Sequence, residues 1–185
     1  MKVGVLALQG DVREHAMVLA DVGASPIEVR TPEELARVEA LVVPGGESTT
    51  ISKLARSAGL IEPILERANG GMPMLGTCAG MIVMARRVQG GEPLLPLVDV
   101  TVRRNAYGRQ VDSFETDLRV EGVDHPVRGV FIRAPIVEEI GRDVRVLAEH
   151  EGRPVVLEQG NLVVASFHPE LVGEPGLHGY VLRKV

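Results

Sequence analysis

Apolar positions change rhythm about halfway along the chain, and the change separates two kinds of secondary structure. In the first half, short unbroken apolar runs alternate with segments of helical spacing. Lys2 to Leu8, Ala40 to Val43 and Met72 to Thr77 read as strands buried on both faces of a parallel sheet. Ile27 to Arg30 reads as a shorter strand. Between these runs, Val12, Ala16 and Leu19 share one face of a helix from about Val12 to Val22, which Gly23 ends. His15 belongs to that helix, and an exposed polar position is expected for it. Pro32 with Glu33 and Glu34 opens another helix. Further helical patterns run from about Thr49 to Ala58, Ile61 to Ala68 and Ala79 to Val88. The last would carry Arg86 and Arg87 in its final turn, where cations suit the negative end of the dipole. Alternation of this kind predicts an α/β fold with an open, mostly parallel sheet and helices on both faces.

After Val88 the pattern shortens. Gly90-Gly91-Glu92-Pro93 marks a loop, and β-branched runs follow at about 98–103, 111–120, 129–133, 144–149, 154–158 and 162–167. Turn signals such as Glu151-Gly152 and Gln159-Gly160-Asn161 separate several of them. These predict antiparallel hairpins added to the parallel sheet rather than a second domain. A single domain spanning residues 1–185 is expected, closed by a short helix from about Pro175 to Val185, with His178 again at an exposed polar position.

Composition narrows the function more than the fold. Hydrophobic residues make up 45%, charged residues 24%, and the net charge is −5. That balance gives no electrostatic case for binding nucleic acid or an anionic membrane. Aromatics at 3% and the lack of tryptophan argue against base-stacking platforms. No apolar run approaches the roughly 20 residues needed to span a bilayer. Met1-Lys2 leads directly into a strand, so no signal peptide is read. The single cysteine rules out an intrachain disulfide and fits a reducing compartment, so the cytoplasm is the expected location.

That cysteine sits in Gly76-Thr77-Cys78-Ala79-Gly80, between the third long apolar run and a helical segment. Gly-x-nucleophile-x-Gly at a strand-to-helix turn is the pattern of a nucleophile elbow, with glycines making room for a tight corner. A helix N-terminus also favours the reactive thiolate form. A lone cysteine in apolar surroundings is more often a small buried hydrophobe, so the remaining machinery has to be found elsewhere. His168-Pro169-Glu170 follows the last strong strand. Alternate residues of an extended segment share a face, which puts an imidazole and an orienting carboxylate together. Pro44-Gly45-Gly46-Glu47-Ser48 follows another strand and can aim backbone N–H groups at a developing oxyanion. Gly46 and Ala79 are the expected donors. No Gly-Lys-Ser/Thr is present, which excludes a Walker loop, and one cysteine with scattered histidines gives no metal-ligand spacing. No cofactor is expected. Gln9-Gly10 lies past the first strand and faces the same crevice, a candidate for sensing a partner.

Taken in order, Gly-Thr-Cys-Ala-Gly, Pro-Gly-Gly-Glu-Ser and Ser-Phe-His-Pro-Glu resemble the triad glutamine amidotransferases. Leu8-Gln9-Gly10, the block from Arg104 to Glu115 and Val130-Phe131-Ile132-Arg133-Ala134-Pro135 narrow the resemblance. Across essentially the whole chain they are similar to the glutaminase subunits of pyridoxal 5′-phosphate synthases. The resemblance implies a three-layer α/β fold and hydrolysis of L-glutamine to glutamate and ammonia. It also implies delivery of the ammonia to a (β/α)-barrel synthase subunit. Residue by residue, it implies Cys78 as nucleophile, His168 as base and Glu170 as orienting acid. Gly46, Glu47, Ser48, Arg104, Ile132 and Arg133 would contact the glutamine. Three other readings stand beside it: a glutaminase serving another synthase, a stand-alone elbow-cysteine hydrolase, and a non-catalytic scaffolding subunit. The intact Cys78, His168 and Glu170 speak against the last.

Overall fold

A computed structural model describes residues 1–104 and 113–185. The first half follows the expected alternation: β1 (Lys2–Leu6), α1 (Val12–Asp21), β2 (Ser25–Val29), α2 (Pro32–Leu35) and β3 (Ala40–Val43). Then come α3 (Ser48–Ser57), α4 (Ile61–Asn69), β4 (Met74–Thr77) and α5 (Ala79–Met84). The second half adds β5 (Ala85–Gln89), β6 (Val98–Arg103), β7 (Phe114–Leu118), β8 (Val127–Phe131) and β9 (Ile136–Ile140). It closes with β10 (Arg145–His150), β11 (Arg153–Gln159), β12 (Leu162–Ala165), a 3₁₀ turn at Glu170–Val172 and α6 (Gly176–Leu182).

Seven strands form the central sheet in the order β10-β11-β12-β4-β3-β1-β2. The run from β12 to β2 is parallel, and β10 and β11 extend it antiparallel, as the hairpin reading expects. The register explains the unbroken apolar runs. Val163, Leu75, Val42 and Val5 fall in one row across four strands, and all belong to the core on one face. Their chain neighbours Val164, Met74, Leu41 and Leu6 belong to the core on the other face. Each such side chain contributes roughly 1.5–3 kcal/mol when taken fully out of water, so both faces drive the strands together.

Several expectations are corrected. The helix after Cys78 ends at Met84, not Val88, and Arg86 and Arg87 lie on β5. No glycine or proline separates helix from strand there, so nothing local marks the end. Pairing with β6 decides it, with Arg87 donating to Thr101 Oγ1 and Asp99. The hairpins do not all join the main sheet: β5, β6 and β9 form one small sheet, β7 and β8 another. β9 escapes the apolar pattern because Glu138 and Glu139 interrupt it. His15 and His178, expected on exposed helix faces, are 0% and 1% exposed. The part of the 111–120 run at 111–112, and the Asn105 to Asp112 portion of the resembling block, lie outside the described residues.

α6 is pinned by one buried acid. Glu158 on β11 accepts from Tyr180 at 2.6 Å and faces Lys184 at 2.7 Å and Arg145 at 2.9 Å. Burial opposes its charge, but the Lys184 and Tyr180 donors outweigh that and hold its pKa below the usual value. The clamp fixes the helix that carries His178.

Candidate active site

Four parallel strands end at the same rim, and the segments leaving them build one cleft. Open α/β sheets bind ligands outside the carboxyl ends of their strands. Here β1 leads to Asp11, β3 to the Pro44-Gly45-Gly46 loop, β4 to Cys78 and β12 to His168. The cleft encloses about 380 Å³. Asp11, Cys78, Ala79 and His168 line it on one side. Gly46, Glu47, Ser48 and Arg104 line the glycine-loop side, with Ile132 and Arg133 opposite. Every candidate site residue thus meets there except Glu170, which sits buried behind His168.

Cys78 occupies a strained corner, with φ 47° and ψ −103°. Such a conformation in a non-glycine residue costs roughly 1–3 kcal/mol and persists only when its surroundings enforce it. They do: the Cys78 N–H donates to Ala165 of β12 at 2.8 Å, and the flanking glycines allow the close approach. A Cβ on Gly80 would stand 2.1 Å from the Val43 carbonyl, and one on Gly76 would stand 2.7 Å from Met84 Sδ. The thiol itself reaches the Ile132 carbonyl at 3.8 Å.

His168 is held by β8, exchanging backbone hydrogen bonds with Val130 at 2.8 and 3.3 Å. Its Nδ1 lies 2.8 Å from Glu170 Oε1 and 3.1 Å from Asp11 Oδ2. Only the Glu170 contact has hydrogen-bond geometry. The pairing of His168 with Glu170 is as expected, but its origin is not: β12 stops at Ala165, and a 3₁₀ turn beginning at Glu170 swings the carboxylate under the ring. Asp11 is the residue the motif reading passed over. It touches His168 through the packing of α1, and no local pattern signals that contact.

Burial works against a charged imidazole at His168. Asp11, the Cys78 sulfur and Glu170 outweigh it, and together they push its pKa up to about 12. Glu170 is desolvated too, yet contacts with His15 and His168 hold it well below the usual carboxylate range. Asp11, His168 and Glu170 each offer a donor atom within 4.8 Å of the others. The cluster is better described as one ring nitrogen facing two carboxylates.

The glycine loop is held from two directions. Gln9 Oε1 accepts from the Glu47 N–H at 2.7 Å, and the Asp11 N–H donates to the Gly45 carbonyl at 3.2 Å. Glu47 caps α3, accepting from the backbone of Thr49 and Thr50 at 3.1 and 2.7 Å. The Thr50 hydroxyl, at 2.8 Å, together with those backbone donors overcomes desolvation and brings its pKa down to about 2. Arg104 reaches Glu47 at 3.2 Å and Thr49 Oγ1 at 3.3 Å. Arg133 has φ 46°, a second left-handed non-glycine residue at the rim.

A strained elbow cysteine with a carboxylate-backed histidine in an open α/β sheet is the arrangement that cysteine-dependent acyl transfer requires. The chain belongs to the SNO glutamine amidotransferase family, which it matches over residues 5–185. It is 56% identical to "Pyridoxal 5′-phosphate synthase subunit PdxT" of Streptomyces avermitilis, over 99% of this chain and 93% of that protein. It is 52% identical to the protein of the same name in Niallia circulans, over 100% of this chain and 98% of that one. A solved structure, "Crystal structure of glutamine amidotransferase", superposes with TM-score 0.94 at 49% identity, covering 98% and 97% of the two chains. The "Structure of PurLQS from Thermotoga maritima" shares the fold, with TM-score 0.70 at 21% identity. No described helix is long and apolar enough to cross a membrane.

Proposed function

We propose that this chain is the glutaminase of a pyridoxal 5′-phosphate synthase, hydrolysing L-glutamine and passing ammonia to a partner synthase subunit. The full-length relatives of that name support it, as does the family to which the chain belongs. The observation that carries the chemistry is the convergence of Cys78, His168 and Glu170 at one cleft.

In this reading residues 1–185 act as one domain. Cys78 Sγ attacks the side-chain amide of glutamine, and the backbone N–H groups of Gly46 and Ala79 receive the oxyanion. His168 gives its proton to the departing nitrogen, releasing ammonia and leaving a thioester. It then takes a proton from water, which hydrolyses the thioester to glutamate. Glu170 holds the ring through Nδ1. Arg104 reads the α-carboxylate of glutamine, and Glu47 reads its α-ammonium. Ser48, Ile132 and Arg133 complete the substrate contacts. The partner is a (β/α)-barrel synthase subunit, a reading that rests on the resemblance of the Arg104 to Glu115 block. Gln9, through its bond to the Glu47 N–H, is the link by which docking would set the glycine loop. The cytoplasm is the proposed location, which the single unpaired cysteine suits.

The test is a glutaminase assay with and without the synthase subunit. Cys78→Ala is expected to abolish glutamate release while the fold persists, and a glutamine-analogue electrophile should label Cys78 in the wild type. Near wild-type turnover by Cys78→Ala refutes the assignment.

A further inference from the structure

Behind Glu170 lies a buried polar cluster that the mechanism above does not use. Glu170 and His15 side chains are both 0% exposed, with His15 Nε2 3.4 Å from Glu170 Oε1. The same Nε2 lies 3.0 Å from Thr77 Oγ1, on the residue immediately before the nucleophile. On the other side of the ring, His15 Nδ1 is 2.8 Å from His178 Nε2. The cluster therefore joins α1, the end of β4, the segment after β12 and α6. Buried polar groups of this kind are costly unless paired, so their arrangement is enforced rather than incidental.

We propose that His15 is a positioning residue for glutamine hydrolysis: it holds the Glu170 carboxylate against His168 and ties it to the strand that carries Cys78. The proposal rests on the triad reading given above.

Proton placement follows from the contacts. His15 Nε2 faces a carboxylate oxygen and a hydroxyl, so it carries a hydrogen directed between them. One proton lies between His15 Nδ1 and His178 Nε2. His178 is kept neutral by burial first and then by His15, its pKa brought down to about 3. His178 Nδ1 has no partner within hydrogen-bond geometry, and the Glu174 backbone acts on that ring in the sense that favours a proton. Glu170 Oε2 also has no partner among the described residues. The carboxylate's contacts thus run through Oε1, a hydrogen bond to His168 and a close charge contact with His15. Without His15 it would keep one contact, to His168, and be free to rotate or to take up a proton.

The consequence is specific to one step. Once the thioester has formed, His168 must be neutral to accept a proton from water. The groups then setting its protonation are Asp11 on the solvent side and Glu170 on the buried side. His15 and His178 act through Glu170, and Thr77 contributes no charge. A weaker Glu170 charge lowers the proton affinity of His168, so the pH limb for thioester hydrolysis moves to lower pH. At the same time the base is weaker and less well aimed, so the plateau rate falls.

The experiment uses the chain in complex with its synthase subunit. It compares His15→Leu, His15→Gln and His15→Asn against wild type and Cys78→Ala, with thermal unfolding recorded for each. A glutamine side-chain amide places its nitrogen near the Nε2 position, whereas that of asparagine reaches only the Nδ1 position. His15→Leu is expected to lower kcat about 10- to 100-fold, the usual cost of losing a partner that orients a functional group. KM for glutamine should stay within about twofold, and the limb in single-turnover thioester decay should shift to lower pH. His15→Gln should recover most of the rate and the wild-type limb, and His15→Asn should not. Should His15→Leu fail to fold, the contrast between Gln and Asn decides alone. Wild-type kcat in His15→Leu or His15→Asn overturns the proposal. So does a loss of rate in which the limb stays in place and Gln behaves like Asn. If Cys78→Ala itself turns over glutamine, the triad reading fails instead, which separates the two failures.

Discussion

The two sides of His168 carry the same kinds of charge in opposite surroundings. On the cleft side, Asp11 faces Nδ1, and beyond it Arg104 and Glu47 pair with side chains 33% and 51% exposed. On the inner side, Glu170 pairs with the same Nδ1, the two side chains 0% and 8% exposed. Two unit charges 4 Å apart are worth about 1 kcal/mol in water and about 4 kcal/mol at the effective dielectric of a protein. An exposed pair is therefore held by ~0–1 kcal/mol and opens readily. Breaking a buried one costs about 3–5 kcal/mol, because the charge left behind is unpaired. In the proposed function, the cleft side exchanges its partners for the two charged ends of glutamine. The inner side is built to stay as it is through every turnover.

The hardest test of this division is His168 itself, which both sides serve. His168→Ala should lower kcat by more than about 10⁴, nearly as much as Cys78→Ala, and the double variant should be little worse than either, because the two act as a unit. A double variant far below both singles would mean that they work separately.

The division is sharpened by exchanging charge for amide on each side. Glu170→Gln should cost about 10²–10⁴ in kcat, the range known for a buried triad acid. Asp11→Asn should cost less than about tenfold, since water replaces part of what its half-buried carboxylate supplies. Comparable losses in kcat from the two would show that burial does not distinguish them.

Stability gives a third route. His178 has its folded pKa lowered to about 3 from 6.5, so it contributes stability that is complete above pH 6.5 and lost as pH falls toward 3. Glu170, also lowered, adds a loss below its ordinary value of 4.5. The unfolding free energy read from urea titrations should therefore fall on acidification by an amount on the order of a few kcal/mol. His178→Leu should flatten the part between pH 6.5 and 4. An unchanged slope in that variant would place the acid sensitivity elsewhere.

The smallest effect belongs to the exposed pair. Arg104→Met should raise KM for glutamine about tenfold, equivalent to about 1.4 kcal/mol, while leaving kcat near wild type. Its unfolding free energy should change by less than ~1 kcal/mol. A large loss of stability would show that Arg104 holds the fold rather than the substrate.

Much of the cleft side was legible in the sequence, and little of the inner side. Gly76, Gly80, Gly45 and Gly46 flank strand ends, and the chemistry of a tight turn is local, so Cys78 and the glycine loop could be placed by reading a few adjacent residues. The link between His168 and Glu170 was legible for the same reason, although an extended segment was expected where a 3₁₀ turn makes the contact. His15 was misjudged because an isolated helix pattern makes a polar residue an exposed one. Asp11 was missed because nothing in Gln9-Gly10-Asp11 indicates a histidine more than a hundred and fifty residues away. Arg86 and Arg87 were assigned to a helix because propensity continues past Met84 and only the pairing of β5 with β6 stops it.

By itself, the sequence pointed to the parallel sheet, the loops that leave its strands and the proposed nucleophile, base and acid. Those depend on periodicity and on glycine and proline at turns, which act over a few residues. Tertiary structure alone decided which histidines are sealed inside, which carboxylate is anchored and which stays at the surface. Burial and hydrogen-bond satisfaction belong to pairs of groups rather than to single residues. The pairs that matter here, His15 with Glu170 and His15 with His178, exist only once α1 and α6 have packed against the end of β4.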